Sequence, residues 1–309
     1  MPENILNVHG VMSAPVVPFC TDESLDIEAY RDIVCLLLKE GVTALFPCGS
    51  IGEYPHLDAA EWRELVDTTV ELAVGLVPVV VTVGHPDLRR LIEQITDAAA
   101  AGAAGVLVIP PHYFKLAEEE WMWAMRHVDA CGVPFIVYSN PSLGGNGVTV
   151  SALEHLLEMP HFAGIKEATA DPEEYRAKAA LLDGRVPIIA AAETPLLQML
   201  SIRSDACLTA LASVAPAPLH KLWHAVQDGD LFTARAVFRR ISAFRGIVAT
   251  ESTGGRPGYI SVVKAALNLR GLNGGVPRPP LRRMDDAILP LLREVLETEL
   301  GVECSGAHR

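Results

Sequence analysis

The sequence predicts an α/β protein, an eight-stranded parallel β/α barrel of the TIM type carrying a helical carboxy-terminal extension. Eight short β-branched runs recur, each nearly continuous in apolar character, as parallel strands covered on both faces require. Segments of helical periodicity separate them. The 309 residues match one such barrel with an appendage, so two unrelated domains are not needed. A doubly wound open sheet shares this alternation, and the number of units is what favours closure.

In chain order the first run is VMSAPVV (11–17), followed by a helical pattern opening at Asp26, whose carboxylate suits a helix cap. TALFPCG (43–49) precedes a second helical stretch that opens at Asp58, and VPVVVTVG (77–84) precedes PDLRRLIEQITDAAAAG. GVLVIPP (105–111), PFIVYSN (134–140), FAGIKEA (162–168), VPIIAAA (186–192) and DACLTAL (205–211) complete the eight. After about residue 228 the alternation stops and only helical patterns remain, punctuated by Gly254, Gly255, Pro257 and PRPP (277–280). The expected division is a catalytic barrel over 1–228 and a helical extension over 229–309.

Half the residues are hydrophobic and the formal net charge is -13, so the chain buries a large core and presents no basic surface for nucleic acid or anionic lipid. The amino terminus lacks a charged segment followed by an apolar one, and no apolar run approaches the ~20 residues of a membrane helix. A cytoplasmic location is expected. The six cysteines are scattered without a CxxC pair and read as reduced. His220 and His224 lie four apart on a helical pattern, but Lys221 stands where a zincin has its glutamate, so no metal is expected.

Catalytic groups of a barrel project from the carboxyl ends of its strands. Lys166 stands out there, because an ammonium in an apolar strand costs several kcal/mol unless it is paired or loses its proton. A neutral amine attacks ketones, which is why buried lysines form Schiff bases. Strand alternation turns Ile165 and Glu167 to the other face. Taken alone, the strand fits equally a lysine paired with Glu167 or Asp171. Tyr138 ends the preceding strand; it is either a proton shuttle or a core residue with a satisfied hydroxyl. Gly49, Ser50, Ile51, Gly52 and Glu53 follow the second strand, and N–H groups beside a hydroxyl suit a carboxylate, although these are also ordinary loop residues.

The GSxGE turn, the tyrosine after strand five and Ile-Lys-Glu-Ala on strand six, in this order, resemble the dihydrodipicolinate synthase and N-acetylneuraminate lyase family. APVVPF, PPHYFK, LASVAP, VKAALNLRGL and RPPL extend the likeness through nearly the whole chain. The resemblance implies an aldolase or lyase that holds pyruvate, or a related 2-oxo acid, as an imine on Lys166 without any other cofactor. It implies that Tyr138 relays protons, that the Ser50 hydroxyl is linked to it, and that Gly49, Ser50 and Ile51 surround the substrate carboxylate. Tyr113 matches a tyrosine that reaches into the neighbouring subunit, which implies a homodimer or homotetramer.

Departures bear on the substrate. Ile51 replaces the usual threonine, so one hydroxyl contact is lost. Leu143 stands where dihydrodipicolinate synthases carry an arginine for aspartate semialdehyde, and no arginine occurs between His127 and Tyr175. A buried carboxylate without that partner loses about 2–5 kcal/mol of binding. Where neuraminate lyases carry a threonine and a GxDE group, this chain has Ala168 and Ala191-Ala192-Glu193, leaving Glu193 as the candidate for sugar hydroxyls. SLGGNG reshapes the mouth, and Arg256 is either a substitute arginine or a solvated loop residue. These features point to an aldolase acting on pyruvate or a 2-keto-3-deoxy acid. The alternatives are a dehydratase of a 2-keto-3-deoxy sugar acid, an authentic 4-hydroxy-tetrahydrodipicolinate synthase and a silent 2-oxo-acid sensor. A phosphate-binding barrel enzyme is disfavoured, since no Gly-rich phosphate loop follows the seventh or eighth strand.

Overall fold

The computed structural model describes residues 6, 8–111, 113–140, 147–253 and 257–305. The chain forms two compact units, each discontinuous in sequence: Met1–Met12, Thr43–Phe46 and Ala73–Leu208 make the first, and Ser13–Val42, Pro47–Leu72 and Thr209–Arg309 the second.

The first unit holds a parallel sheet of seven strands, β1 (Gly10–Met12), β2 (Val80–Val83), β3 (Gly105–Val108), β4 (Phe135–Ser139), β5 (Phe162–Glu167), β6 (Ile188–Ala190) and β7 (Ala206–Leu208), in the order β1-β7-β6-β5-β4-β3-β2. The space between β1 and β2 is taken by the second apolar run. The Thr43 N–H donates to the Val11 carbonyl, the Leu45 N–H to Pro78, and the Val80 N–H to Leu45. The ring therefore closes as the expected β/α barrel, with the eighth position reduced to a single bridge, Leu45↔Val79. Pro47 ends that segment early because it lacks an N–H for the ladder. Every residue of the seven strands is buried, which matches the continuous apolar runs of the sequence.

An irregularity between β4 and β5 fixes the site. Phe135 pairs with Phe162, but Ile136 pairs with Gly164, so Ala163 is an extra residue and Tyr138 aligns with Lys166. Without the bulge Tyr138 would align with Ile165, and Lys166 would point to the opposite face. Gly164 has φ 141°, and a Cβ there would come within 2.6 Å of the Pro187 carbonyl oxygen. Only glycine fits.

In the second unit Asp26 caps α1 (Ile27–Lys39) by accepting from the Ala29 N–H, and Asp58 accepts from Ala60 and Glu61 at the start of α2 (Ala59–Ala73). Helices α3 to α7 belong to the barrel unit: Leu88–Ala100, Glu118–Asp129, Val150–Leu156, Pro172–Leu182 and Leu196–Ile202. The carboxy-terminal part supplies α8 (Pro216–Gln227), α9 (Leu231–Glu251), α10 (Gly258–Leu269) and α11 (Leu289–Glu294). Helix α10 packs on α9, on α11 and on the short turn Ser50–Gly52. No described helix is long and apolar enough to cross a membrane.

Candidate active site

Lys166 lies near the carboxyl end of β5, 8% exposed, with its Nζ 3.9 Å from the centre of the Tyr138 ring. Tyr138 occupies the same level of β4 and is also buried. Its hydroxyl accepts a hydrogen bond from Asn140 Nδ2 at 2.8 Å. The alternation of β4 continues one residue past its end and explains this contact, since Tyr138 and Asn140 share a face while Ser139 turns away. Ile189 of β6 aligns with Lys166 and brings an apolar wall to that level.

The next residue, Glu167, faces the helices and is fully buried. Lys178 of α6 donates to Glu167 Oε2 at 2.6 Å and to Glu174 Oε1 at 2.5 Å. Thr169 closes the circuit, its N–H donating to Glu167 Oε1 at 2.6 Å and its hydroxyl to Glu174 Oε2 at 2.8 Å. Burial pushes the Glu167 carboxyl above its usual range, while the Lys178 ammonium and the Thr169 N–H pull it back. This ring of bonds ties the backbone around Lys166 to α6. The neighbouring glutamate is thus committed to a different lysine, and among the described residues Lys166 has no ion pair.

In the second unit, Ser50–Gly52 form one turn of 3-10 helix after Gly49. The N–H groups of Gly52 and Tyr54 donate to the Gly49 carbonyl and that of Glu53 to Ser50. The N–H groups of Ser50 and Ile51 head the turn, where internal partners are lacking by geometry. Ile51 is buried and Ser50 half-buried. Cys48 and Glu53 flank the turn with positive φ, 58° and 55°, a conformation costing about 1–2 kcal/mol for a residue with a Cβ. Glu53 is held in it by Lys264 of α10 at 2.5 Å, by the Arg278 N–H at 3.0 Å and by His56 at 3.1 Å. Burial depresses the Lys264 ammonium to about 8 even though Glu53 supports its charge.

Tyr113 lies 78% exposed after β3, in edge contact with Phe114 at 5.0 Å. With Pro86, Leu88, Pro111 and Trp123 it lines a groove of about 480 Å³. Ala191 and Glu193 follow β6 and are half-buried; the Ala191 N–H donates to the Glu167 carbonyl. Leu143 and Arg256 lie outside the described residues, as does most of SLGGNG. Among the described residues no three His, Cys, Asp or Glu side chains converge as a metal site would. Sequence reasoning missed Asn140, Lys178 and Lys264. Asn140 was within reach of it, two places after Tyr138 at the end of the PFIVYSN run. The two lysines were not, because each reads as a solvated residue of an amphipathic helix.

The model of the dihydrodipicolinate synthetase family matches residues 7–299. An uncharacterised DapA-like lyase of Halobacterium salinarum is 33% identical over 91% of this chain and 90% of its own length. A 4-hydroxy-tetrahydrodipicolinate synthase of Methanospirillum hungatei is 30% identical over 93% and 98%. A Pseudomonas aeruginosa crystal structure named as a dihydrodipicolinate synthetase superposes with a TM-score of 0.89 at 31% identity, covering 95% of this chain and all of that one.

Proposed function

The chain belongs to the dihydrodipicolinate synthetase family and is a lyase of the aldolase type, and from that premise we propose that it works through an imine between Lys166 and pyruvate or a 2-keto-3-deoxy acid. The observation that carries this reading is the setting of Lys166: buried, level with Tyr138 and, among the described residues, without an ion pair, since Glu167 is held by Lys178. A buried lysine amine beside a tyrosine, held by no carboxylate, is the arrangement that imine formation with a ketone requires.

In the proposed reaction the amine adds to the C2 carbonyl and the carbinolamine loses water to give the imine. Cleavage of the C3–C4 bond, or loss of a C3 proton, then sends an electron pair into the imine and leaves an enamine. The Tyr138 hydroxyl carries protons between the nitrogen, the departing water and C3. For Gly49, Ser50 and Ile51 the proposal is carboxylate binding through the leading N–H groups of their turn. Ala191 and Glu193 keep their proposed place beside the remainder of the substrate.

We assign the protein to the cytoplasm, and to a homodimer or homotetramer in which Tyr113 serves a neighbouring copy; its exposure beside Phe114 and Trp123 supports this. The test is reduction with borohydride in the presence of pyruvate, followed by mass spectrometry. A pyruvyl adduct on Lys166, absent from Lys166→Ala, is expected; an unmodified protein overturns the reading. The 30% identity to a named synthase favours one second reading, condensation of pyruvate with aspartate semialdehyde. Supplying both substrates distinguishes it from cleavage or dehydration of 2-keto-3-deoxy acids.

A further inference from the structure

The hydrogen bond from Asn140 to Tyr138 has a chemical consequence. The phenol hydrogen lies in the ring plane, in one of two positions, because the oxygen lone pair is conjugated with the ring. An amide N–H reaching the oxygen at 2.8 Å occupies one of them. The hydrogen of Tyr138 must take the other. Both side chains are buried, so water does not compete freely for either group.

We infer that Asn140 is a positioning residue which fixes the direction of the Tyr138 hydroxyl, so that the tyrosine presents its proton away from the amide and is supported as an acceptor when that proton has left. The inference rests on the imine chemistry proposed above and extends it to a residue with no assigned role. In balance, Tyr138 gives its proton to the carbinolamine hydroxyl, which leaves as water. Its oxygen, holding the Asn140 N–H, then takes a proton from C3 as the imine becomes the enamine. Asn140 exchanges no proton at any stage. Its partner on the strand, Ser139, serves the opposite face, accepting from the Val148 N–H at 3.2 Å.

The test needs no knowledge of the aldehyde. Pyruvate in deuterated water exchanges its methyl hydrogens through the imine and enamine, and proton NMR follows the rate. Asn140→Ala is expected to lower the maximal exchange rate about 10- to 100-fold, with the pyruvate concentration for half-maximal rate changed less than about threefold. Asn140→Asp is nearly isosteric but replaces the donor by an acceptor, which draws the tyrosine hydrogen towards itself. It should be at least as slow as Asn140→Ala. A packing role predicts the reverse order, with Asn140→Asp close to wild type, and that order overturns the inference. So does a rise in half-maximal concentration at unchanged maximal rate, which would make Asn140 a substrate contact. Urea midpoints for both variants establish that they are folded, and reductive capture of pyruvate on each shows that Lys166 remains competent. Wild-type protein that neither captures nor exchanges pyruvate refutes the imine reading itself; wild type that does both, alongside variants that exchange at its rate, refutes only the assignment of Asn140.

Discussion

Lys178→Met removes one charge from a buried pair and leaves the other behind. Lys178 and Glu167 are fully buried at 2.6 Å, where an effective dielectric of ~20 gives an attraction of about 6 kcal/mol. Desolvating each ion costs several kcal/mol, so the intact pair contributes little net stability. Breaking it is different. The methionine variant strands Glu167 without its cation and is expected to be about 3–5 kcal/mol less stable. Glu167→Gln keeps an oxygen for the Thr169 N–H and leaves Lys178 its bond to Glu174, so it should cost less, roughly 1–3 kcal/mol. The double variant should be more stable than the sum of the two losses predicts, with a coupling of about 2 kcal/mol. Urea unfolding at neutral pH, followed by tryptophan fluorescence, measures all three differences. A Lys178→Met loss below about 1 kcal/mol, or costs that simply add, would refute the claim that this pair anchors the strand end bearing Lys166.

The bulge at Gly164 and the clamp on the Ser50–Gly52 turn are open to two further tests. Gly164→Ala places a Cβ 2.6 Å from the Pro187 oxygen at φ 141°; reductive capture of pyruvate on Lys166 should fall at least tenfold, and capture at the wild-type rate would show that the register does not depend on this glycine. Lys264 titrates at about 8 in the folded chain against its ordinary 10.5. Below pH 8 both states hold the proton, while between the two values the unfolded chain holds it more, so stability rises with pH by at most about 1.4 kcal/mol per unit. The urea midpoint of the wild type relative to Lys264→Met should therefore climb from pH 8 to 10, and a flat difference contradicts the assignment.

The sequence by itself determined the architecture and singled out the candidate reactive residues. Eight continuous apolar runs can be buried on both faces only by parallel pairing with intervening helices, and a lysine inside such a run stands out from sequence alone because its burial is costly. The alternation of strand residues already turned Glu167 away from Lys166. What Glu167 met there was decided only in three dimensions, since Lys178 belongs to the following helix and nothing in its local pattern separates a buried lysine from a solvated one. The second run shrank to a bridge at Leu45 because ladder hydrogen bonds, and not apolar character, define a strand. The left-handed backbone of Glu53 in the GSIGE turn is held by Lys264 and Arg278, more than 200 positions away. The same holds for the central pair. That Tyr138 and Lys166 share a face depends on one extra residue at Ala163, admitted by Gly164, and a period of two makes every side chain beyond it change sides. Such a slip leaves no mark on composition or periodicity, because it is a relation between two strands and not a property of either.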